Sequence, residues 1–338
     1  MLISRTPFRV SFFGGGTDYP EWYREEGGAV LSTTIDKYCY VSARVLPPFF
    51  TNRHRIVWSH IENVSSVVEI LHPAIREGLK YLGFGDGVGL EIQHQGDLPA
   101  RTGMGSSSAF IVGLIKALTA LRGEMISRQE LAGKAIELEQ EWLKEAVGCQ
   151  DAIATAHGGL NAIYFAPEKE ARVEPVTIPM SRVEELERHL LLVYIGSSRI
   201  ASVIAADVVR NLGNRQRELR RMRAIVDEGL AVLGSHGGLD DFGRLLHEGW
   251  MLKRDLAAGV TSATVDEVYE RAREHGAIGG KLLGAGGTGF MLLFAPPERH
   301  PGIVRALGQS LHVPFRFESE GSTLVYYNPM DSRAFERR

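Results

Sequence analysis

Hydrophobic and polar positions change period several times along the chain, and each change marks an element. Leu90 and Ile92 alternate with polar neighbours, and with Val88 they carry the period of two of a half-buried strand over 88–94. Runs rich in β-branched and aromatic residues at 3–13, 29–35, 38–46 and 55–59 read as further strands. Apolar residues recur at helical spacing over 107–121 and 127–146. The second of these helices opens on Ser127 with Glu130 three places later, a capping-box start. A strand at 161–165 leads into a charged connector at 167–188, and another strand begins at 190–195. Helical spacing near 204–233, 239–257 and 265–275 follows, with strands at 290–295 and 323–327. This order predicts an α+β protein of two lobes, divided as 1–180 and 181–338.

Composition narrows the class. With 338 residues and 44% hydrophobic content the chain can bury a substantial core. A net charge of −3 offers no attraction to nucleic acid or to an acidic membrane surface. Cys39 and Cys149 lie far apart in apolar surroundings, which predicts reduced, buried thiols rather than a disulfide. No charged-then-apolar leader opens the sequence and no apolar run reaches the ~18 residues of a membrane helix, so a cytoplasmic chain is expected. The oligomeric state is left open, a homodimer included.

Three glycine-rich segments carry the chemistry. The first ends a strand: Arg5-Thr-Pro-Phe-Arg9-Val-Ser-Phe-Phe-Gly14-Gly15-Gly16-Thr17-Asp18. Its turn suits the presentation of Thr17 and Asp18 to sugar hydroxyls, with Gly15 and Gly16 permitting close approach. The alternative is a surface turn in which Asp18 bonds its own backbone. The second segment is Pro99-x-x-x-Gly103-Met104-Gly105-Ser106-Ser107-Ser108-Ala109, followed by an apolar helical run. A glycine loop feeding a helix N-terminus has free N–H groups and the positive end of a dipole, and so attracts phosphate. The third, Gly279-Gly-Lys281-Leu-Leu-Gly284-Ala-Gly286-Gly287-Thr-Gly289, contains a formal G-x-G-x-x-G. A strand-like run follows it where a dinucleotide fold needs a helix, so it reads as a loop that closes over a ligand. Walker A spacing is absent, since Leu282 follows Gly280-Lys281.

In this order the segments resemble the GHMP small-molecule kinases, and the resemblance runs from Arg5 to about Tyr327. Within that superfamily the first segment, Gly27-Gly-Ala-Val-Leu-Ser-Thr-Thr-Ile-Asp36 and 279–287 look most like the D-glycero-D-manno-heptose 7-phosphate kinases. The resemblance implies an N-terminal ATP-binding lobe and a ferredoxin-like C-terminal lobe, with ATP and Mg2+ as cofactors and a sugar phosphate as the small-molecule partner. It assigns nucleotide binding to Arg101, Thr102, Gly103, Met104, Gly105, Ser106, Ser107 and Ser108. It makes Ser107 and Glu139 the Mg2+ ligands. Glu141 is the rival to Glu139, but two residues along a helix point about 200° apart and only one can face the site. Asp151, in Gly148-x-x-Asp151, is then the catalytic base rather than a helix N-cap, with Arg9 beside it to offset developing charge. Whether Asp151 abstracts the proton or only orients the hydroxyl stays open. The acceptor falls to Gly15, Gly16, Thr17, Asp18, Gly286 and Gly287. Its distal phosphate falls to a cationic pocket in which Arg199 and Lys253 rank ahead of Arg254 and Lys281. Residues 58–64 are assigned to part of the adenine pocket.

Overall fold

Strand β1 (Leu2–Phe13) explains much of the architecture, because its second half is buried on both faces. It lies antiparallel to β2 (Gly28–Val45), an unbroken strand of 18 residues. The sequence pattern divides β2 at Asp36 and Lys37. The structure absorbs that polar pair as a bulge, Pro7 pairing with Tyr38 and Phe8 with Ile35, while Lys37 Nζ meets Asp36 Oδ1 at 2.9 Å. The structure, a computed structural model, describes residues 1–167, 170–196, 201–308, 310–328 and 333–336.

The larger sheet continues from β2 to β5 (Leu90–Gly96), β3 (His54–Val57) and β4 (Ile61–Val64). β6 (Asn161–Phe165) pairs with the start of β2, and β7 (Arg172–Pro175) with β6. The helix Ser106–Leu121 packs on this sheet and is buried almost all round, as its uniformly apolar sequence requires. A smaller sheet orders β11 (Leu311–His312), β8 (Leu190–Tyr194), β10 (Phe290–Phe294) and β9 (Gly279–Leu282). Trp250, Tyr269, Leu282, Met291 and Leu293 build a second core there, with the helices Asp240–Arg254 and Ala263–Glu274.

Two features depart from the sequence pattern. The helix Met180–His189 lies inside the stretch read as a charged connector, and buries Leu186 on one face. The C-terminal segment also crosses back over the division at residue 180. β12 (Phe317–Glu318) pairs with β2, and β13 (Thr323–Tyr327) pairs with β1, so these strands join the sheet of the first lobe. Strand pairing is non-local, which is why sequence order cannot reveal this return. No helix among the described residues is long and apolar enough to cross a membrane.

The returning segment passes close to the helix Gln150–His157. Ser322 N donates to Thr155 O at 3.0 Å, and a Cβ on Gly321 would fall 2.1 Å from Ala156 O. Gly321→Ala is therefore expected to destabilise the protein by about 1–3 kcal/mol through overpacking. Gly302→Ala, in a short helix with open space at the Cβ position, is expected to be neutral or stabilising by up to about 1 kcal/mol. Urea unfolding midpoints of the two variants check both signs.

Candidate active site

The loop after β5 places glycine where the two lobes touch. Gly103 (φ +82°) would carry a Cβ 2.2 Å from Leu283 O, and a Cβ on Gly284 would lie 2.3 Å from Gly103 Cα. Backbone therefore meets backbone, and Phe290 N donates to Thr102 O at 3.1 Å across the same seam. Gly105 (φ +71°) then caps the helix Ser106–Leu121 in the left-handed region. The first-turn N–H groups have no acceptor within the helix, which makes an anion cradle. Thr102 and Met104 contribute only backbone to that cradle. Both are fully buried, Thr102 Oγ1 donating to Pro99 O at 2.7 Å. Arg101 is exposed, and its N–H donates to Ser106 Oγ at 3.2 Å.

Under the loop lies an ion pair. Arg9 Nε and Nη2 each donate to one oxygen of Asp151, both at 2.6 Å, and Nη1 donates to Gly103 O at 2.5 Å. Arg9 N also donates to Met104 O at 3.1 Å. A Cβ on Gly105 would sit 3.3 Å from Asp151 Oδ2, so the cradle closes directly over the carboxylate. Asp151 keeps 23% of its side chain exposed, against 4% for Arg9. Asp151 is not the helix N-cap, a position held by Cys149.

Asp18 bonds the backbone of that helix terminus. Its Oδ2 accepts from Gln150 N at 3.2 Å, its Oδ1 from Gly16 N at 2.9 Å, and its carbonyl from Cys149 N at 3.0 Å. Burial raises its pKa; the Gly16 hydrogen bond opposes the rise and the Asp151 charge adds to it. Thr17 is likewise turned inward. Its hydroxyl donates toward Gly14 O and Ala29 O and accepts from Ala29 N. Both side chains expected at the sugar hydroxyls are thus tied to the backbone around the turn. A glycine turn leaves several backbone groups without ladder partners, and the nearest short polar side chains satisfy them.

Glu139 faces inward and Glu141 outward. Glu139 is fully buried, whereas Glu141 is 69% exposed and pairs with Lys144 at 3.2 Å. The helix expected to run to residue 146 is α-helical over Arg128–Glu137 and then makes a π turn, Leu138–Trp142, that carries Glu139. Ser108, not Ser107, reaches it: Ser108 Oγ donates to Glu139 Oε1 at 2.6 Å, while Ser107 is exposed. Neighbouring residues on a helix differ by about 100°, so one serine of three can face inward, and a run of serines does not reveal which. Glu139 Oε2 is buried without a partner, and burial pushes the carboxyl up to about 8. An orphaned carboxylate oxygen beside a serine hydroxyl is an oxygen donor set that fits Mg2+.

Lys253 and Lys281 bring two buried amines to the same centre. Lys253 Nζ donates to Leu282 O at 2.8 Å and also to Gly284 O, tying down the third glycine segment. Lys281, 6% exposed, reaches across the lobes to Phe12 O at 3.0 Å. Burial lowers the Lys253 pKa well below its ordinary value, and the Lys281 and Arg9 charges lower it further. Lys281 falls to about 7, from burial first and then Arg9. Arg254 turns away to Asp266 at 3.1 Å, and Arg199 lies outside the described residues. Gly286 and Gly287, expected at the acceptor, pack on Val260: Gly287 N donates to its carbonyl at 3.0 Å, and a Cβ on Gly286 would lie 2.6 Å from its Cα.

The family patterns for the GHMP kinases N terminal domain and the GHMP kinases C terminal match residues 66–159 and 228–312. The chain belongs to the GHMP kinases, and is an ATP-dependent phosphotransferase. A D-glycero-alpha-D-manno-heptose 7-phosphate kinase of Campylobacter jejuni is 26% identical over 336 residues, 95% of this chain and 97% of the relative. The bifunctional fucokinase/GDP-fucose pyrophosphorylase of Arabidopsis thaliana is 28% identical over 312 residues, 86% of this chain and 29% of the relative. The crystal structure of a D-glycero-D-manno-heptose 1-phosphate kinase from Bacteroides thetaiotaomicron has the same fold. Its TM-score is 0.79 at 22% identity, covering 97% of this chain and 100% of that one.

Glu139→Gln is expected to raise the Mg2+ concentration needed for half-maximal ADP release by about tenfold, while Glu141→Gln leaves it unchanged. Titrating Mg2+ at fixed ATP distinguishes the two. Lys281 has a depressed folded-state pKa, so the folded protein binds fewer protons than the unfolded chain between about pH 7 and 10. Stability therefore gains from this group as pH rises through that window. Lys281→Met is expected to flatten the rise, read from urea midpoints at pH 7 and 10.

Proposed function

We propose that this protein transfers the γ-phosphate of ATP to the anomeric hydroxyl of D-glycero-D-manno-heptose 7-phosphate, giving the 1,7-bisphosphate for activated-heptose and surface polysaccharide synthesis. The observation that carries the phosphotransfer reading is the Arg9–Asp151 fork closed under the 103–108 cradle. Phosphoryl transfer needs the phosphates held, their charge offset and the acceptor hydroxyl oriented. The cradle and helix terminus would hold the nucleotide phosphates, and Trp58, stacked on His60 at 4.8 Å and edge-on to His72, is the candidate for the adenine pocket. Ser108 and Glu139 would hold Mg2+, which offsets charge on the β- and γ-oxygens when bound. Arg9 fixes the Asp151 carboxylate, which orients the acceptor hydroxyl and takes its proton. Lys253 and Lys281 place two amines at the centre, and an anionic acceptor would favour their protonated forms.

The heptose assignment draws on the Campylobacter jejuni relative, which matches nearly the full length of both chains. The fucokinase similarity favours a second reading, a kinase for an unphosphorylated sugar of the fucose or mannose type.

Mg2+-dependent ADP release with heptose 7-phosphate, heptose, mannose, fucose, galactose, mevalonate and homoserine separates these readings. Turnover confined to the 7-phosphate is the expected result, and comparable turnover of an unphosphorylated sugar would replace it with the second reading. Asp151→Asn is expected to lower kcat by at least about 1,000-fold while nucleotide affinity, measured by fluorescence titration, stays within a few-fold. Near-normal turnover would remove Asp151 from the mechanism.

A further inference from the structure

Beside the reacting centre two buried polar atoms have no hydrogen-bond partner in the protein: Ser11 Oγ on β1 and Gln150 Oε1 in the first turn of Gln150–His157. Both border Gly15. A Cβ built there would lie 3.3 Å from Gln150 Nε2, 3.6 Å from Ser11 Oγ and 3.9 Å from Gln150 Oε1. Gly15 is not among the glycines with positive φ, so its backbone conformation does not require glycine. What a side chain would take away at this position is space.

The notch sits within the proposed machinery. Gln150 precedes Asp151, and Ser11 follows Arg9 at the strand period of two, so the pair shares a face of β1. Asp18 supports the notch through Gly16 N and Gln150 N, and Lys281 reaches the carbonyl of Phe12, the next residue after Ser11. Ser11 is 6% exposed. Buried polar atoms are nearly always paired, so two orphans bordering one glycine point to a group that arrives from outside the chain.

We propose that Ser11, Gly15 and Gln150 form the subsite that binds a hydroxyl of the acceptor ring next to the one phosphorylated, and so determine acceptor specificity. The proposal rests on the sugar-kinase reading above. A hydroxyl is both donor and acceptor, so a single group satisfies both orphans: it donates to Gln150 Oε1 and accepts from the Ser11 hydroxyl. An acceptor lacking it leaves both buried atoms unpaired, the condition under which a polar site rejects an analogue strongly. Thr17, whose hydroxyl is consumed by Gly14 and Ala29, has no such capacity left.

The test compares wild type, Ser11→Ala, Gln150→Ala and Gly15→Ala on the parent sugar and on its singly deoxygenated analogues. For one analogue, wild-type kcat/KM is expected to fall at least about 100-fold. Each variant should lose a similar factor on the parent, yet differ from wild type by less than about threefold on that analogue, with KM for ATP unchanged. Gly15→Ala keeps both polar groups and fills the gap, so it reports on the notch even if another variant fails to fold. Equal losses on every analogue would mean a structural role, and losses below about threefold would mean a bound water only. Either result overturns the subsite while sugar phosphorylation stands. Turnover of mevalonate or homoserine with no sugar phosphorylated would overturn the sugar-kinase reading and the subsite together.

Discussion

The guanidinium of Arg9 is the piece on which the rest of the site depends. From one buried strand it donates to both oxygens of Asp151 and to Gly103 O, while the Arg9 amide holds Met104 O. Strand β1, the glycine loop and the helix Gln150–His157 are thus fixed to one another by a single planar fork. A buried ion pair of this kind is weak evidence for stability, because desolvation offsets much of the attraction. Its contribution is to geometry: Asp151 is held at a defined orientation under the cradle and still keeps a quarter of its side chain open to an acceptor.

The lobes meet around that fork by backbone contact. Gly103 lies against Leu283 and Gly284 without intervening side chains, and Lys253 and Lys281 brace the seam by donating to carbonyls on either side. Two buried lysines sit near one guanidinium, their pKa values lowered by burial and by that charge and drawn back up by Asp151 at Lys253 and by Asp18 at Lys281. Such a centre is electrostatically unfinished until anions enter, which is the state a phosphoryl-transfer site should have before its substrates arrive.

Local signals in the sequence revealed most of the frame and part of the site. The helix Ser106–Leu121 and strand β13 follow from period and turn residues, and the glycine loops from backbone freedom that other residues lack. Helical geometry says that only one of Glu139 and Glu141 can face inward, and the family resemblance picks Glu139. Other features depend on contacts remote in sequence. Ser108 rather than Ser107 meets Glu139, Thr17 is spent on its own turn, and Lys281 is buried in β9. A lysine between a glycine pair and an apolar run was the available hint for Lys281. Ser11 and Gln150 carried none, since an orphaned atom is visible only when its surroundings are known.

The return of the C-terminus to the first sheet has a consequence for biosynthesis. Leu2 pairs with Tyr327, and β1 receives its outer neighbour from β13, more than 300 residues along the sequence. Until that strand has left the ribosome, the outer edge of β1 is an open row of donors and acceptors. The first lobe therefore completes its sheet only after the second has been translated, and the nascent chain must keep that edge from other partners until β13 emerges.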